Sequence, residues 1–304
     1  MRMIVLQSAF VISFLMMFVL YKYVRIKSLM DFPNDRKIHK KIIPLYGGLV
    51  FVGLFLLYSF FFLKESFFSP FFLLYLGGVL IFILGICDDV FKLNWKYKLS
   101  IQLIILLFCV GLIDSFSFFG FEFSSFFAQL LFVFWFLGIT NAMNLLDGLD
   151  GLAVGVFALF LIAVLVLVNQ YYVLNHASHI LMLLLACIIP FLGFNFYPAK
   201  LYMGSAGSLF LGYFLAVLPL FVMFNVDNNV KAVYDFSFFI WIYAYIIFDT
   251  IRVLFFRVTK KKNPFMADQN HLHHVLSNRL GVFKSVLLIY SINLLILISY
   301  FLFN

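Results

Sequence analysis

Charge is scarce in this chain. Only 11% of its 304 residues are Asp, Glu, Lys or Arg, 65% are hydrophobic, and the mean hydropathy is +1.10. That excludes a soluble domain of this size and describes a multi-span membrane protein. Cysteine is scarce as well: Cys87, Cys109 and Cys187 all lie inside apolar runs. They suggest no disulfide framework and read as small buried apolar residues rather than ligands. No low-complexity linker, internal repeat or separate soluble stretch is visible. The first apolar segment, Met3 to Val24, lacks a small-residue cleavage site and is expected to be a retained membrane helix rather than a cleaved signal.

What is present is a series of apolar runs of spanning or near-spanning length. They lie near 3–24, 47–63, 71–87, 98–113, 125–141, 152–168, 178–195, 207–224, 236–256 and 282–303. The expected fold is an all-α integral membrane protein of about ten transmembrane helices, forming one domain over 1–304. With ten helices the connections alternate between two sides. Eighteen of the twenty-one Lys and Arg residues fall in the connections after the odd-numbered helices; only Arg2, Lys64 and Lys231 fall on the other side. The positive-inside rule makes the basic side cytoplasmic and puts both termini outside. This sorting explains the +8 formal charge without nucleic acid as a partner. The same side receives the dense polar clusters, including Asp31, Asp88, Asp89, Asp147, Asp150, Asp249 and the histidines near 271.

Five stretches could carry chemistry. In "GICDDVFKL", Asp88 and Asp89 stand together with Lys92 one turn on, followed by Lys98 and Gln102. Adjacent carboxylates repel unless a cation is near, and Mg²⁺ held by carboxylates and substrate phosphates would serve. In "NAMNLLDGLDG", Asn141, Asn144, Asp147 and Asp150 recur every three residues. That spacing would scatter them around a straight helix. A helix end carrying the two Asn, followed by a tight loop carrying the two Asp, accounts for them better, with Gly148 and Gly151 permitting the stop. Helix capping would explain one of the four. In "FNFYPAKLYMGSAGSLFLG", small residues from Gly204 to Ser208 open a helix. They suit either phosphate binding at a helix N-terminus or close helix packing in a membrane. In "NPFMADQNHLHHVL", His271, His273 and His274 cannot share one helix face and suggest an interfacial loop contacting phosphate or sugar. In "DFPNDRKIHKKIIPLYGGL", basic residues precede a Gly pair. They could hold an anionic headgroup or simply flank a span.

Together, in this order, these stretches resemble the polyprenyl-phosphate N-acetylhexosamine-1-phosphate transferase family, nearer to its WecA/TagO-like branch than to MraY. The resemblance spans Asp31 to Leu276. It implies that phosphate of undecaprenyl phosphate attacks the β-phosphorus of a UDP-N-acetylhexosamine, releasing UMP, at the cytoplasmic face of a bacterial plasma membrane. It implies Mg²⁺, with Mn²⁺ as the alternative, held by Asp88, Asp89 and Asp147, which are also the implied catalytic residues. The implied substrate contacts are Lys92, Lys98, Asn141, Asn144, Asp150, Asn195, His271, His273 and His274. The family permits a homodimer. Two positions depart from its pattern: Ser205 stands where an Asp metal ligand is usual, and Gln269 where Arg is frequent. Two other readings compete: a catalytically silent homologue that binds UDP-sugar or lipid, and a transporter, which would need ionisable groups near mid-membrane.

Overall fold

A computed structural model describes residues 2–32, 42–62, 71–113, 116–118, 121–171, 176–224, 236–261 and 269–303. Twelve α-helices account for nearly all of it. They are α1 (Arg2–Tyr23), α2 (Gly47–Phe62), α3 (Phe71–Phe91), α4 (Trp95–Val110), α5 (Ser125–Leu146), α6 (Leu152–Tyr171), α7 (His176–Asn195), α8 (Gly204–Phe224), α9 (Ser237–Ile242), α10 (Ala244–Thr259), α11 (Leu272–Leu280) and α12 (Val282–Phe303).

Six of these are long and apolar enough to cross a membrane: α1, α3, α5, α7, α8 and α12. The apolar parts of α2 and α6 are shorter. At 1.5 Å per residue the 16 residues of α2 or α4 reach only about 24 Å, less than the ~30 Å apolar layer. The apolar run at 236–256 is not one helix. It breaks at Tyr243 into α9 and α10, and the Tyr243 ring there is held against Trp135 and Phe160. Nor is the chain wholly helical. Two antiparallel ribbons appear, β1 (Met30–Asp31) with β2 (Ile43–Pro44) and β3 (Phe116–Phe118) with β4 (Phe121–Phe123).

Several helices run past the ends of their apolar stretches. α3 continues through Asp88 and Asp89 to Phe91, and α5 continues through Asn141 and Asn144 to Leu146. Hydropathy ends a helix where polar residues begin. Here those residues still find partners on a neighbouring helix, so the backbone has no reason to stop.

The central helix is α8. Its spanning stretch is 89% buried, against 17% for α1, so α8 is enclosed by other helices while α1 is peripheral. Lipid is as apolar as Leu, so helices in a bilayer gain by close contact rather than by hiding oily surface. Small residues provide that contact. A Cβ on Gly48 would lie 2.4 Å from Gly207 N, one on Gly85 2.4 Å from Ala206 Cα, and one on Gly212 2.4 Å from Thr140 O. Three neighbours, α2, α3 and α5, thus approach α8 backbone to backbone. The start of α2 is also tied to the segment before α8: Tyr202 N donates to Pro44 O, Gly47 N to Tyr202 O and Gly48 N to Met203 O. Buried polar side chains find backbone partners, as in Tyr213 OH to Leu74 O and Trp135 Nε1 to Ala216 O.

Overpacking a tight contact costs about 1–3 kcal/mol. Gly212→Ala should therefore lower the thermal transition of the detergent-purified protein by several degrees. Gly53→Ala, where an added Cβ meets nothing within 4 Å, should leave it unmoved in the same assay.

Candidate active site

The polar residues gather at one end of the bundle around a cavity of about 1240 Å³. Its wall draws on the ends of α1, α3, α5 and α7, the starts of α8, α11 and α12, and the segment that leads into α2. Four carboxylates line it, Asp31, Asp89, Asp147 and Asp150, and so do four cationic side chains, Arg25, Lys27, Lys92 and Lys200. Asn144, Asn195, Ser205, Ser208, His274 and three tyrosines, Tyr21, Tyr197 and Tyr202, add to the polar lining. A void this large exceeds the usual small-ligand pocket of roughly 300–1,000 Å³.

The last turn of α3 presents its two acids in different directions, which relieves their repulsion. Asp89 faces the N-terminus of α8: its Oδ1 accepts from Ser205 N at 2.7 Å and its Oδ2 from Ala206 N at 3.0 Å. Orphan amides at a helix start suit an anion. The small-residue opening of α8 is thus both tightly packed and an anion site, but the anion is Asp89 of this chain. Gly204 before it has φ +72°, and a Cβ there would lie 2.6 Å from Asp89 Oδ2. The turn therefore excludes a side chain. Asp88 lies behind: its Oδ2 accepts from Ser205 Oγ at 2.6 Å and from Lys98 Nζ at 3.1 Å. Lys92 ends the helix with a left-handed backbone, φ 51°, and reaches the cavity.

The loop between α5 and α6 carries Asp147 and Asp150 and is pinned from several sides. Asn195 Oδ1 accepts from Gly151 N at 3.0 Å, while Asn195 Nδ2 donates to Leu201 O. Asp150 Oδ2 accepts from Ala199 N at 2.9 Å. Tyr290 of α12 donates its hydroxyl to Gly151 O. Asn144 Oδ1 accepts from Ser208 Oγ at 2.7 Å. Asn141 is spent elsewhere. It exchanges hydrogen bonds with Gln102 across α4 and α5, donates to Leu137 O, and does not line the cavity.

Asp147 has no hydrogen-bond donor among the described residues. Burial, then the charges of Asp89 and Asp150, push its carboxyl up to about 7. Negative charge is crowded here, and a cation would relieve it. Asp, Asn and Ser oxygens on the cavity wall, from Asp89, Asp150, Asn144, Ser205 and Ser208, are of the kind that suits a hard divalent ion such as Mg²⁺. The residues present fit such an ion.

The three histidines come together after all. His271 sits at the N-cap of α11 rather than within it, so its ring can stack at 5.6 Å on His273, and His273 lies 4.2 Å from His274. They press on the Asp147 loop: a Cβ on Gly148 would lie 2.7 Å from His273 Nε2 and 3.0 Å from His274 Cε1. Of the three, only His274 lines the cavity. Burial, then its two histidine neighbours, pushes His273 down to about 3, so it is neutral at physiological pH.

Two residues that the motif reading did not single out hold this cluster. Asp249 of α10 accepts from Arg252 at 2.8 Å and from Leu272 N at 2.9 Å, and pairs with His271 Nδ1 at 2.9 Å. Arg252 also donates to Asn270 O. The signal was available: a lone acid in an apolar run, with Arg three residues on, needs a reason. The basic run 36–41, His39 and Asp268 lie outside the described residues.

Comparison with known proteins gives the class. A family model described as "Glycosyl transferase family 4" matches residues 71–225, about half the chain, and the chain belongs to that family. Among its relatives is a "Probable undecaprenyl-phosphate N-acetylglucosaminyl 1-phosphate transferase" of Bacillus subtilis, 35% identical over 98% of this chain and 85% of its own length. An "Undecaprenyl-phosphate alpha-N-acetylglucosaminyl 1-phosphate transferase" of Thermotoga maritima is 32% identical over 94% of this chain and 85% of its own length. Its Escherichia coli K12 namesake is 28% identical over 88% of this chain and 74% of its own length. The resemblance drawn from the five stretches is borne out.

The raised carboxyl of Asp147 has a measurable sign. Its folded value, about 7, lies above the unfolded 3.8, so the stability it contributes is full below 3.8 and is lost as pH rises through about 7. Without divalent cation, Asp147→Asn should therefore raise the thermal transition more at pH 8 than at pH 5. An equal shift at both would contradict the assignment.

Proposed function

We propose that the chain transfers N-acetylhexosamine-1-phosphate, with N-acetylglucosamine as the sugar, from a UDP-sugar to undecaprenyl phosphate, releasing UMP and starting a lipid-linked envelope glycan. The observation that carries this reading is the cavity's facing sets of acids and cations in a chain whose full-length relatives bear that activity in their names. The chain crosses a bacterial plasma membrane ten times, with both termini outside and the cavity open to the cytoplasm. The sorting of Lys and Arg supports this, as does the gathering of alternate helix ends at the cavity.

Mg²⁺ or Mn²⁺ would be held at Asp147 and would neutralise charge on the diphosphate, while Asp89 and Asp88 keep their partners on α8 and α4. The chain's own residues do the rest. Lys92, Lys200, Arg25 and Lys27 draw phosphates into the cavity from its rim, and Lys98 holds Asp88 in place. His274 reaches the diphosphate and sugar, with His273 and His271 packed behind it and Asp249 fixing their helix. Asp150 and Asn195 brace the nucleotide side through Ala199, Gly151 and Leu201.

The reaction is a phosphoryl transfer, in which positioning and charge neutralisation dominate. An oxygen of the lipid phosphate forms a bond to the β-phosphorus as the bond from that phosphorus to the bridging oxygen breaks. The electron pair leaves with UMP. A lipid phosphate is ionised at neutral pH, so direct in-line attack needs no base and no covalent aspartyl intermediate. Asp249 gives the transporter reading no support, because it is paired with Arg252 and His271 and is not among the residues lining the cavity.

Purified protein given undecaprenyl phosphate, UDP-N-acetylglucosamine and Mg²⁺ should form lipid-linked sugar and equimolar UMP. Asp147→Asn should lower kcat/KM about a hundredfold or more. No UMP under Mg²⁺ or Mn²⁺ would leave the silent-homologue reading standing. Exchange of label between UDP-sugar and UMP without lipid would overturn direct attack.

A further inference from the structure

Each carboxylate at the polar end is either committed to a protein partner or free. Asp88 is shared between Ser205 Oγ and Lys98 and lies outside the cavity wall. Asp89 spends one lone pair of each oxygen on the α8 amides. Asp150 receives Ala199 N. Asp147 alone accepts no hydrogen bond among the described residues. Next to Asp89, at the start of α8, the cavity wall presents Ser205 rather than a further acid. Its hydroxyl is neutral and already donates its proton to Asp88. Among the described residues no three His, Cys, Asp or Glu side chains converge closely enough to hold a metal ion.

Mg²⁺ tolerates such a site only by keeping several waters and taking ligands from substrate phosphates. We propose that this chain has no resident divalent cation: the ion enters as its complex with the nucleotide-sugar diphosphate, Asp147 anchors that complex, and Ser205 is the residue that sets this order of binding. The inference rests on the transferase reading of the cavity. It makes Ser205 a working feature of the site rather than a mark of decay. The metal's affinity becomes that of a diphosphate complex plus one protein carboxylate.

The test is a titration of the full chain in nanodiscs with Mn²⁺, followed by the electron paramagnetic resonance signal of the free ion. UDP is the nucleotide probe, and UDP without protein is the control. Wild type alone should leave the free-ion signal unchanged; with UDP it should remove signal beyond the control. Ser205→Asp should capture Mn²⁺ without UDP, with affinity raised about tenfold or more by the added ligand charge. Ser205→Ala should behave as wild type, because no charge is added. Asp147→Asn should abolish the extra capture seen with UDP. Stoichiometric Mn²⁺ binding by wild type without UDP overturns the proposal, and so does UDP-independent binding by Ser205→Ala. Should Ser205→Asp fail to fold, the wild-type, Ser205→Ala and Asp147→Asn titrations still decide. Transferase assays on the same preparations separate the two readings. Turnover together with a resident ion sinks only this inference, whereas UDP-dependent capture without turnover sinks only the transferase reading.

Discussion

The contact between the Asp89 carboxylate and the first amides of α8 is the one on which the rest depends. The first amides of a helix have no partner within it, and the buried carboxylate at the end of α3 needs donors in turn. Each meets the other's need. The pairing sets the height of α3 against α8, and the contact of Gly85 with Ala206 then lets the two backbones close. The same amides place Ser205, which in turn places Asp88, which in turn receives Lys98 from α4. One ion-to-dipole contact thus orders three helices around the cavity mouth.

Much of this was legible in the chain. The apolar runs located the helices. The split of basic residues pointed to one polar end, and the five stretches named most of the residues that line the cavity or stand behind it. What was not legible has physical causes. Hydropathy could not tell that α3 and α5 outlast their apolar runs, because the partners of Asp88, Asp89 and Asn141 are distant in sequence. It could not reveal the break at Tyr243, where aromatic packing stands in for the usual Pro or Gly. Helical spacing argued the three histidines apart, since it assumed that all three belong to one helix. Letting His271 cap α11 brings the rings together.

Charge in the cavity is arranged by depth. Asp89 is pinned at the floor with Asp88 buried behind it, Asp147 accepts no hydrogen bond among the described residues, and basic residues just after α1, just after α3 and in the stretch before α8 contribute to the wall. The floor needs the protein, whereas the free carboxylate and the cations need a ligand. The neutral, buried His273 behind this array has no hydrogen-bond partner for either ring nitrogen among the described residues. Its packing against Gly148 sets how near the histidine helix stands to the Asp147 loop.

The hydroxyl of Tyr290 rests on the carbonyl of Gly151, joining α12 to the loop that carries Asp147. That bond has a consequence for biosynthesis. A nascent chain that has inserted α1 through α8 already holds every acid of the cavity floor, yet its central loop lacks this brace and its histidines have not left the ribosome. The site is therefore closed only by segments made after α8, and a chain halted before them is left with carboxylates but no finished cavity.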